Sequence, residues 1–155
     1  MSPRIEVLAE AAQALGLAAE RLRTTHTGVS QWFPLTPLSI EQLPEASRER
    51  LDAYAIRYAR CQDLLFPAMR ALGRAQLEPK ADGSFLDLFA LMQKQGIVNE
   101  PQAWERQREL RNVVGHEYPD SRTIADILNG IHAETPDILA CVGRWLAQAD
   151  ALMNG

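Results

Sequence analysis

The fold of this chain is decided by residues 47–75, which read SRERLDAYAIRYARCQDLLFPAMRALGRA. Large apolar residues recur there at intervals of three and four, which places them on one face of an α-helix. They are Leu51, Tyr54, Ala55, Tyr58, Leu65, Met69 and Leu72. Pro67 lies inside the run and is expected to kink the helix or to remove one of its hydrogen bonds. The spacing predicts one long helix that supplies a continuous core face.

The chain before this helix divides into a helix and a connection. Ser2 and Pro3 predict a helix start, with a hydroxyl cap and a proline in the first turn, and the apolar pattern lasts to about Arg23. Residues 24–44 hold three prolines and are expected to form a long connection with a short turn near residues 39–42. The sequence assigns this connection no task. We expect His26 to be a solvated loop residue, and Trp32-Phe33 to anchor the connection to the core.

Four more helices are predicted after the long one, because apolar residues continue at helical spacing and stop signals separate the runs. The expected segments are Phe85–Gly96 after a turn at Pro79–Gly83, a helix capped by Asn99 and stopped by Pro119, a helix capped by Asp120 or Ser121, and a last helix that Thr135-Pro136 begins. No segment alternates with the period of a β-strand. The sequence therefore predicts an all-α bundle of five or six helices, in one domain over residues 1–155.

Composition limits the classes of function. The net charge of −4 argues against a strongly basic nucleic-acid binder, and no DNA partner is expected. Lys80 and Lys94 are the only lysines among sixteen basic residues, and the arginine excess fits either a local phosphate-binding patch or a GC-rich genome. Cys61 and Cys141 lie in apolar helical patterns and are interpreted as buried thiols in a reducing compartment. With no signal peptide and no apolar run long enough to cross a membrane, a cytoplasmic location is expected.

Metal and cofactor chemistry has little support in the sequence. The three histidines are scattered, and there is no HExxH pair and no zinc-ligand spacing. A glycine-rich phosphate loop is absent as well. His132, beside Glu134, is interpreted as a residue that interacts with a helix dipole. We therefore expect neither a metal nor a cofactor.

Residues 111–118, RNVVGHEY, concentrate the chemistry near the end of one predicted helix. On such a helix Asn112 and His116 share a face, Arg111 and Tyr118 form an adjoining stripe, and Gly115 leaves a notch between them. A histidine can take and give a proton near neutral pH, and an arginine stabilises charge on a phosphate. The combination suits metal-free RNA cleavage, in which the ribose 2′-OH attacks the adjacent phosphate and an acid protonates the leaving oxygen.

That reaction needs two proton-transfer groups, and one chain offers a single convincing histidine near the motif. A symmetric dimer would bring two, and Gly115 would let two such helices approach closely.

The stretch resembles the Arg-x4-His-x-Tyr motif of HepT-like toxins, a branch of the HEPN all-α ribonuclease superfamily. The likeness is specific over about Ile97 to Tyr118, while residues 57–63 and the general helical layout extend it more weakly. It implies a HEPN-like up-and-down bundle and a metal-independent endoribonuclease that works as a homodimer on RNA. Arg111 would bind the scissile phosphate, His116 would be the general base or acid, and Asn112 would orient the phosphate or the histidine.

The resemblance also implies a partner and a means of control. Family members are commonly paired with an MNT-type minimal nucleotidyltransferase antitoxin, which adenylylates the tyrosine of the motif. That position is Tyr118 here. AMP on this residue would place bulk and negative charge where an RNA phosphate must sit.

Two other functions remain open from the sequence. The chain could be a non-catalytic docking subunit that presents a substrate or Tyr118 to a nucleotidyltransferase, or a helical scaffold in which Arg111 and His116 have no catalytic role. Arg57, Gln62 and Asp63 flank the core stripe of the long helix, and they fit either a salt-bridged, solvated face or a role in supporting the site.

Overall fold

Helices account for nearly all of the chain in the computed structural model, which describes residues 2–118 and 120–155. The six α-helices found there are α1 (Pro3–Val29), α2 (Pro37–Gln42), α3 (Glu45–Ala75), α4 (Phe85–Lys94), α5 (Pro101–Val113) and α6 (Ser121–Asn154). Short 3-10 turns lie at Ser30–Trp32 and Pro79–Asp82. These residues contain no β-strand, so the all-α prediction is confirmed.

Three long helices, α1, α3 and α6, pack against one another and form the core. The apolar stripe predicted for the long helix is buried in α3, whose observed start differs from the predicted one by two residues. Helix α3 continues through Pro67. At the residue after Pro67, the carbonyl of Ala68 accepts the indole N–H of Trp145, a fully buried residue of α6, at 3.0 Å. Cys61 and Cys141 are free, buried thiols, as predicted.

The expected connection over residues 24–44 is wrong in its first part, and the short turn expected near residues 39–42 belongs to the six-residue helix α2. Helix α1 does not stop at Arg23 but reaches Val29, because Thr25 and Val29 extend its buried face by two further turns. Helix α2 begins after Thr36, whose side chain forms a capping box with Ser39. Trp32 and Phe33 pack against the core, as predicted.

The boundaries of the later helices agree with the sequence-based prediction only in part. Asp120 caps α6 by accepting from the Thr123 N–H at 2.7 Å, which confirms one of the two predicted caps. The residue before α5 is Glu100, so the prediction of Asn99 as its cap is wrong. Pro119 lies outside the described residues, and α5 ends well before it.

A separate last helix beginning at Thr135-Pro136 was also a wrong prediction, because α6 runs through both residues without a break. Thr135 is fully buried, and its hydroxyl donates to the carbonyl of Ile131 at 2.7 Å instead of capping a new helix. In the described part of the chain, no helix is both long and apolar enough to span a membrane.

Candidate functional site

The end of α5 differs from the sequence expectation in a way that changes the site. The helix stops at Val113, and the Val114 N–H bonds to the Arg111 carbonyl at 3.2 Å. Gly115 follows with a φ of +93°, a backbone conformation that side-chain-bearing residues rarely adopt. His116 therefore lies beyond the helix, and the predicted shared helical face of Asn112 and His116 is wrong.

Gly115 acts as a backbone turn in this structure, where a helical notch was expected. A methyl group at its Cα would meet no atom of the described residues within 4 Å, so none of them packs closely against it. Residues 116–118, which follow the turn, are non-helical. The chain thus leaves the helical path just before His116 and Tyr118, at a residue with a positive φ.

Arg111 is held by a carboxylate from α3. Its Nε donates to Oδ1 of Asp63 at 2.7 Å, and Nη1 of Arg108 donates to the same oxygen at 3.1 Å. Arg108 also donates to the side chain of Gln62, at 2.6 Å, and Gln62 is fully buried. The Arg111 hydrogen bond is the largest cause that lowers the pKa of Asp63, and Asp63 in turn raises the pKa of Arg111.

His116 and Tyr118 meet in the segment after the turn. The phenolic oxygen of Tyr118 lies 3.3 Å from Nδ1 of His116, and the two rings are tilted by 36°. His116 is exposed and Tyr118 is partly buried. An exposed imidazole beside a hydroxyl is free to contact a ligand from solvent.

Two clefts adjoin this segment and share Val114 as a common wall. The larger, of about 560 Å³, lies between α3, the 113–118 segment and the start of α6. It is lined by Asp52, Ala55, Val113, Val114, Gly115, His116, Glu117, Tyr118, Ile124, Ile127 and Leu128. The smaller, of about 350 Å³, contains Arg60, Asp63 and Arg111. We call the larger one the base cleft, after the imidazole of His116 that it contains, and the smaller one the arginine cleft.

The predicted site residues are therefore divided between the two clefts. Gly115, His116 and Tyr118 line the base cleft, whereas Arg111 lines the arginine cleft on the other side of Val114. Asn112 is exposed on α5 and lines neither cleft. One chain places the histidine and the tyrosine in one cleft and the arginine in the adjoining cleft.

Asp52 was not predicted as a site residue. Asp63 was predicted to belong either to a salt-bridged, solvated face or to the residues that support the site. Burial, followed by the charge of Glu45, raises the pKa of Asp52. Both aspartates lie on α3, far from the motif in sequence, and only the packing of α3 beside the end of α5 brings them to the site. Their spacing in the sequence carries no signal of that contact.

A second polar cluster lies away from the motif, where α1, α3 and α6 meet. The rings of His26 and His132 stack with centroids 4.7 Å apart, and Phe33 stacks on His132 at 4.2 Å. Both histidines thus depart from the prediction: His26 belongs to α1 and is no loop residue, and His132 is in the interior of α6 with no helix end to interact with.

The hydrogen bonds of this cluster fix which nitrogen of each ring carries the proton. Thr135 gives its proton to a carbonyl, so the Tyr54 hydroxyl donates to Thr135 and accepts from Nδ1–H of His26, each at 2.8 Å. Ser30 donates to the His26 carbonyl and therefore accepts from Nε2–H of His132, at 3.0 Å. Burial lowers the pKa of both histidines, and His26 lowers that of His132 further.

The described residues contain no group of three or more His, Cys, Asp or Glu side chains placed to hold a metal ion. Comparisons with protein-family models, with curated proteins and with solved structures found no match for this chain. The functional assignment therefore depends on the motif and on the geometry of the two clefts.

Proposed function

We propose that this protein is a metal-independent endoribonuclease toxin of the HepT-like type, which acts on RNA as a homodimer. One observation carries the proposal: the exposed His116 imidazole lies in a cleft that adjoins, across Val114, the cleft containing Arg111. A proton-transfer group and a permanent cation are thus neighbours on the surface. These are the two kinds of group that phosphodiester cleavage without a metal requires.

The chemistry follows from the roles that these groups can fill. A base removes the proton of the ribose 2′-OH, and the oxygen attacks the adjacent phosphorus to form a 2′,3′-cyclic phosphate. The bond to the 5′-oxygen breaks as an acid protonates that leaving oxygen. Arg111 would stabilise the charge on the phosphate, and its contact with Asp63 leaves other N–H donors of the guanidinium for this purpose.

A second copy of the chain would complete the site. His116 is the single histidine at the motif, since His26 and His132 are partly buried in the other cluster. A twofold axis near the motif would place two copies of His116 in one cleft, one as base and one as acid. Asn112, exposed on the last turn of α5, would orient the phosphate or the partner's histidine.

The same site suggests how an antitoxin would silence the enzyme. The Tyr118 hydroxyl is the proposed acceptor of AMP from an MNT-type nucleotidyltransferase. Because that hydroxyl lies 3.3 Å from His116, the modification would add a phosphodiester and a nucleoside next to the proton-transfer group. The added bulk and negative charge would compete directly with RNA.

Cleavage of a mixed RNA pool in EDTA tests the proposal. The wild type should cut and leave cyclic phosphate or 3′-phosphate ends. His116→Ala and Arg111→Ala should each lose at least a hundredfold in rate, the usual scale for loss of a general acid or base or of a charge-stabilising group. Arg21→Ala, an exposed arginine on α1, is the matched control and should cut at the wild-type rate.

The outcome also separates this proposal from a non-catalytic docking subunit. Equal cleavage by the wild type and His116→Ala would identify the activity as a contaminant. No cleavage of any RNA, together with no growth arrest on expression without a partner, would favour the docking subunit. AMP on Tyr118 is expected in both cases and does not discriminate between them.

A further inference from the structure

The two clefts beside the motif differ in chemistry. The arginine cleft contains two cations, Arg60 and Arg111, against one carboxylate, Asp63, a balance that suits a phosphate. The base cleft has aliphatic side chains along the start of α6 and the end of α5, and its acidic groups are the carboxylates of Asp52 and Glu117. A nucleotide has the same division, with an anionic phosphate on one side and a flat, weakly polar base on the other.

We propose that the base cleft is a nucleobase subsite that selects guanine, with Asp52 as the residue that reads it. This inference rests on the proposed ribonuclease function, because it names the nucleotide that this site accepts next to the scissile phosphate. It adds a specificity determinant, Asp52, from outside the motif.

The size and the walls of the base cleft suit a base. Its volume of about 560 Å³ falls in the range of roughly 300–1,000 Å³ that is typical of small-molecule sites. Ile124, Ile127 and Leu128 offer an apolar surface to the face of a base, and the Tyr118 ring offers an aromatic one. Single-stranded RNA is recognised in this way, by packing on unstacked bases and by hydrogen bonds to their Watson–Crick edges.

A carboxylate on the wall selects among the four bases. An ionised carboxylate only accepts hydrogen bonds, and its two oxygens can take two parallel donors. Guanine presents such a pair in N1–H and the N2 amino group. Adenine and cytosine present one amino group beside a ring nitrogen that accepts and therefore repels the second oxygen, and uracil presents one N–H between two carbonyls.

Asp52 is better placed for this task than Glu117. Both residues are exposed, but Asp52 lies on α3, a helix of the core, whereas Glu117 lies in the non-helical segment between His116 and Tyr118. Asp52 also has no salt-bridge partner among the described residues, so its carboxylate is available to a ligand. Glu117, next to the proposed proton-transfer group, is the alternative reader that the experiment must separate from Asp52.

Binding of nucleoside 3′-monophosphates by the full-length protein tests the proposal without requiring cleavage. Calorimetric titration with guanosine 3′-monophosphate should give an affinity about tenfold or more above that for uridine 3′-monophosphate, the scale of one bidentate contact. Inosine 3′-monophosphate, which lacks the N2 amino group, should fall between them. In cleavage, guanosine should be enriched at the new 3′ ends.

Substitutions then identify which carboxylate recognises guanine. Asp52→Asn replaces one acceptor by a donor, and it should reduce guanosine 3′-monophosphate affinity about tenfold while leaving uridine 3′-monophosphate unchanged. Asp126→Asn, an exposed aspartate of α6 outside both clefts, is the matched control and should keep the guanine preference. Glu117→Gln should also keep it, because we assign the reading to Asp52.

Three results would overturn the proposal: equal binding of the guanine and uracil nucleotides by the wild type, unchanged preference in Asp52→Asn, or loss of preference in Glu117→Gln alone. RNA cleavage with no base preference would refute guanine selection and leave the ribonuclease proposal standing. Asp52-dependent guanine binding by a protein that cuts no RNA would refute the ribonuclease and retain the subsite.

Discussion

Arg111 of α5 donates its Nε hydrogen to Oδ1 of Asp63 on α3, with the two atoms 2.7 Å apart. The contact joins the proposed phosphate-binding residue to the long core helix. A flexible arginine held in this way loses less conformational freedom when it binds a phosphate. The orientation of Arg111 is thus supplied by a residue outside the motif.

Removing this carboxylate should impair cleavage more than folding. We expect Asp63→Ala to reduce kcat/KM by roughly tenfold to a hundredfold, because a small misplacement of a charge-stabilising group is costly. The loss of stability should be about 1 kcal/mol or less, since the Arg111 and Asp63 side chains are 30% and 43% exposed. Single-turnover rates and thermal denaturation measure the two effects.

Two further variants make that result specific. Asp63→Asn keeps an acceptor for Nε and should recover most of the activity. Asp82→Ala removes a comparable, exposed partner of Arg74 far from the motif and should leave cleavage unchanged. If Asp63→Ala cuts RNA at the wild-type rate, the carboxylate does not position Arg111.

The two buried thiols should not react with thiol reagents in the folded protein. Burial raises the pKa of both Cys61 and Cys141 to about 12, so almost no thiolate is present at pH 8. A colourimetric thiol reagent at pH 8 should react with neither thiol in native buffer, and with two thiols per chain in denaturant. Rapid labelling of the native protein would show that the core opens readily around these residues.

Much of the fold was predictable because α3 carries a regular apolar period over thirty-one residues and its faces repeat without ambiguity. The caps at Ser2 and Asp120 were predictable because a hydroxyl or carboxylate before a helical run satisfies the first free N–H groups. The true end of α1 was not, because Val29 continues the buried face into a segment where several prolines follow. The helix start predicted at Thr135-Pro136 was wrong for a similar reason, because tertiary packing keeps α6 helical through Pro136.

The limits of prediction from the sequence are clearer still at the candidate site. The motif residues could be named from the sequence, because Arg111, His116 and Tyr118 are chemically unusual neighbours. Their arrangement could not, since helical spacing contains no sign that Gly115 adopts a positive φ. Asp63 and Asp52 come from α3, and contacts between residues so distant in sequence depend on how the helices pack.

The stacked histidines predict how stability depends on pH. Burial lowers the pKa of His26 and His132, so the folded state favours the neutral rings. In the unfolded chain they titrate near pH 6.5. Their contribution is therefore fully present above about pH 6.5 and is lost as the pH falls from there through the lowered folded pKa values.

Urea denaturation at pH 7.5 and pH 5.5 measures this effect, and the midpoint should be lower at pH 5.5. His132→Phe removes one titrating ring and keeps an aromatic partner for Phe33, so the difference between the two pH values should shrink. Unchanged stability of the wild type between these pH values would show that the pair is not destabilised by protonation.

The turn at Gly115 gives the sharpest test of the site's geometry, because its two possible roles predict opposite signs. At a φ of +93° an alanine is strained, and Gly115→Ala should lose about 1–2 kcal/mol of stability. If Gly115 were instead an ordinary helical residue, alanine would stabilise the protein by roughly 0.5–1 kcal/mol. Gly143→Ala is the matched control, since Gly143 lies within α6 and a methyl group there also meets no atom within 4 Å.

Thermal denaturation should therefore move the two melting temperatures in opposite directions, down for Gly115→Ala and up for Gly143→Ala. RNA cleavage should fall in Gly115→Ala, because a relaxed backbone there would move His116 and Tyr118 away from the base cleft. It should stay unchanged in Gly143→Ala, because Gly143 does not line that cleft. A Gly115→Ala protein that is more stable than the wild type would mean that α5 continues through the motif. Asn112 and His116 would then share one helical face, and the separation of the two clefts across Val114 would be refuted.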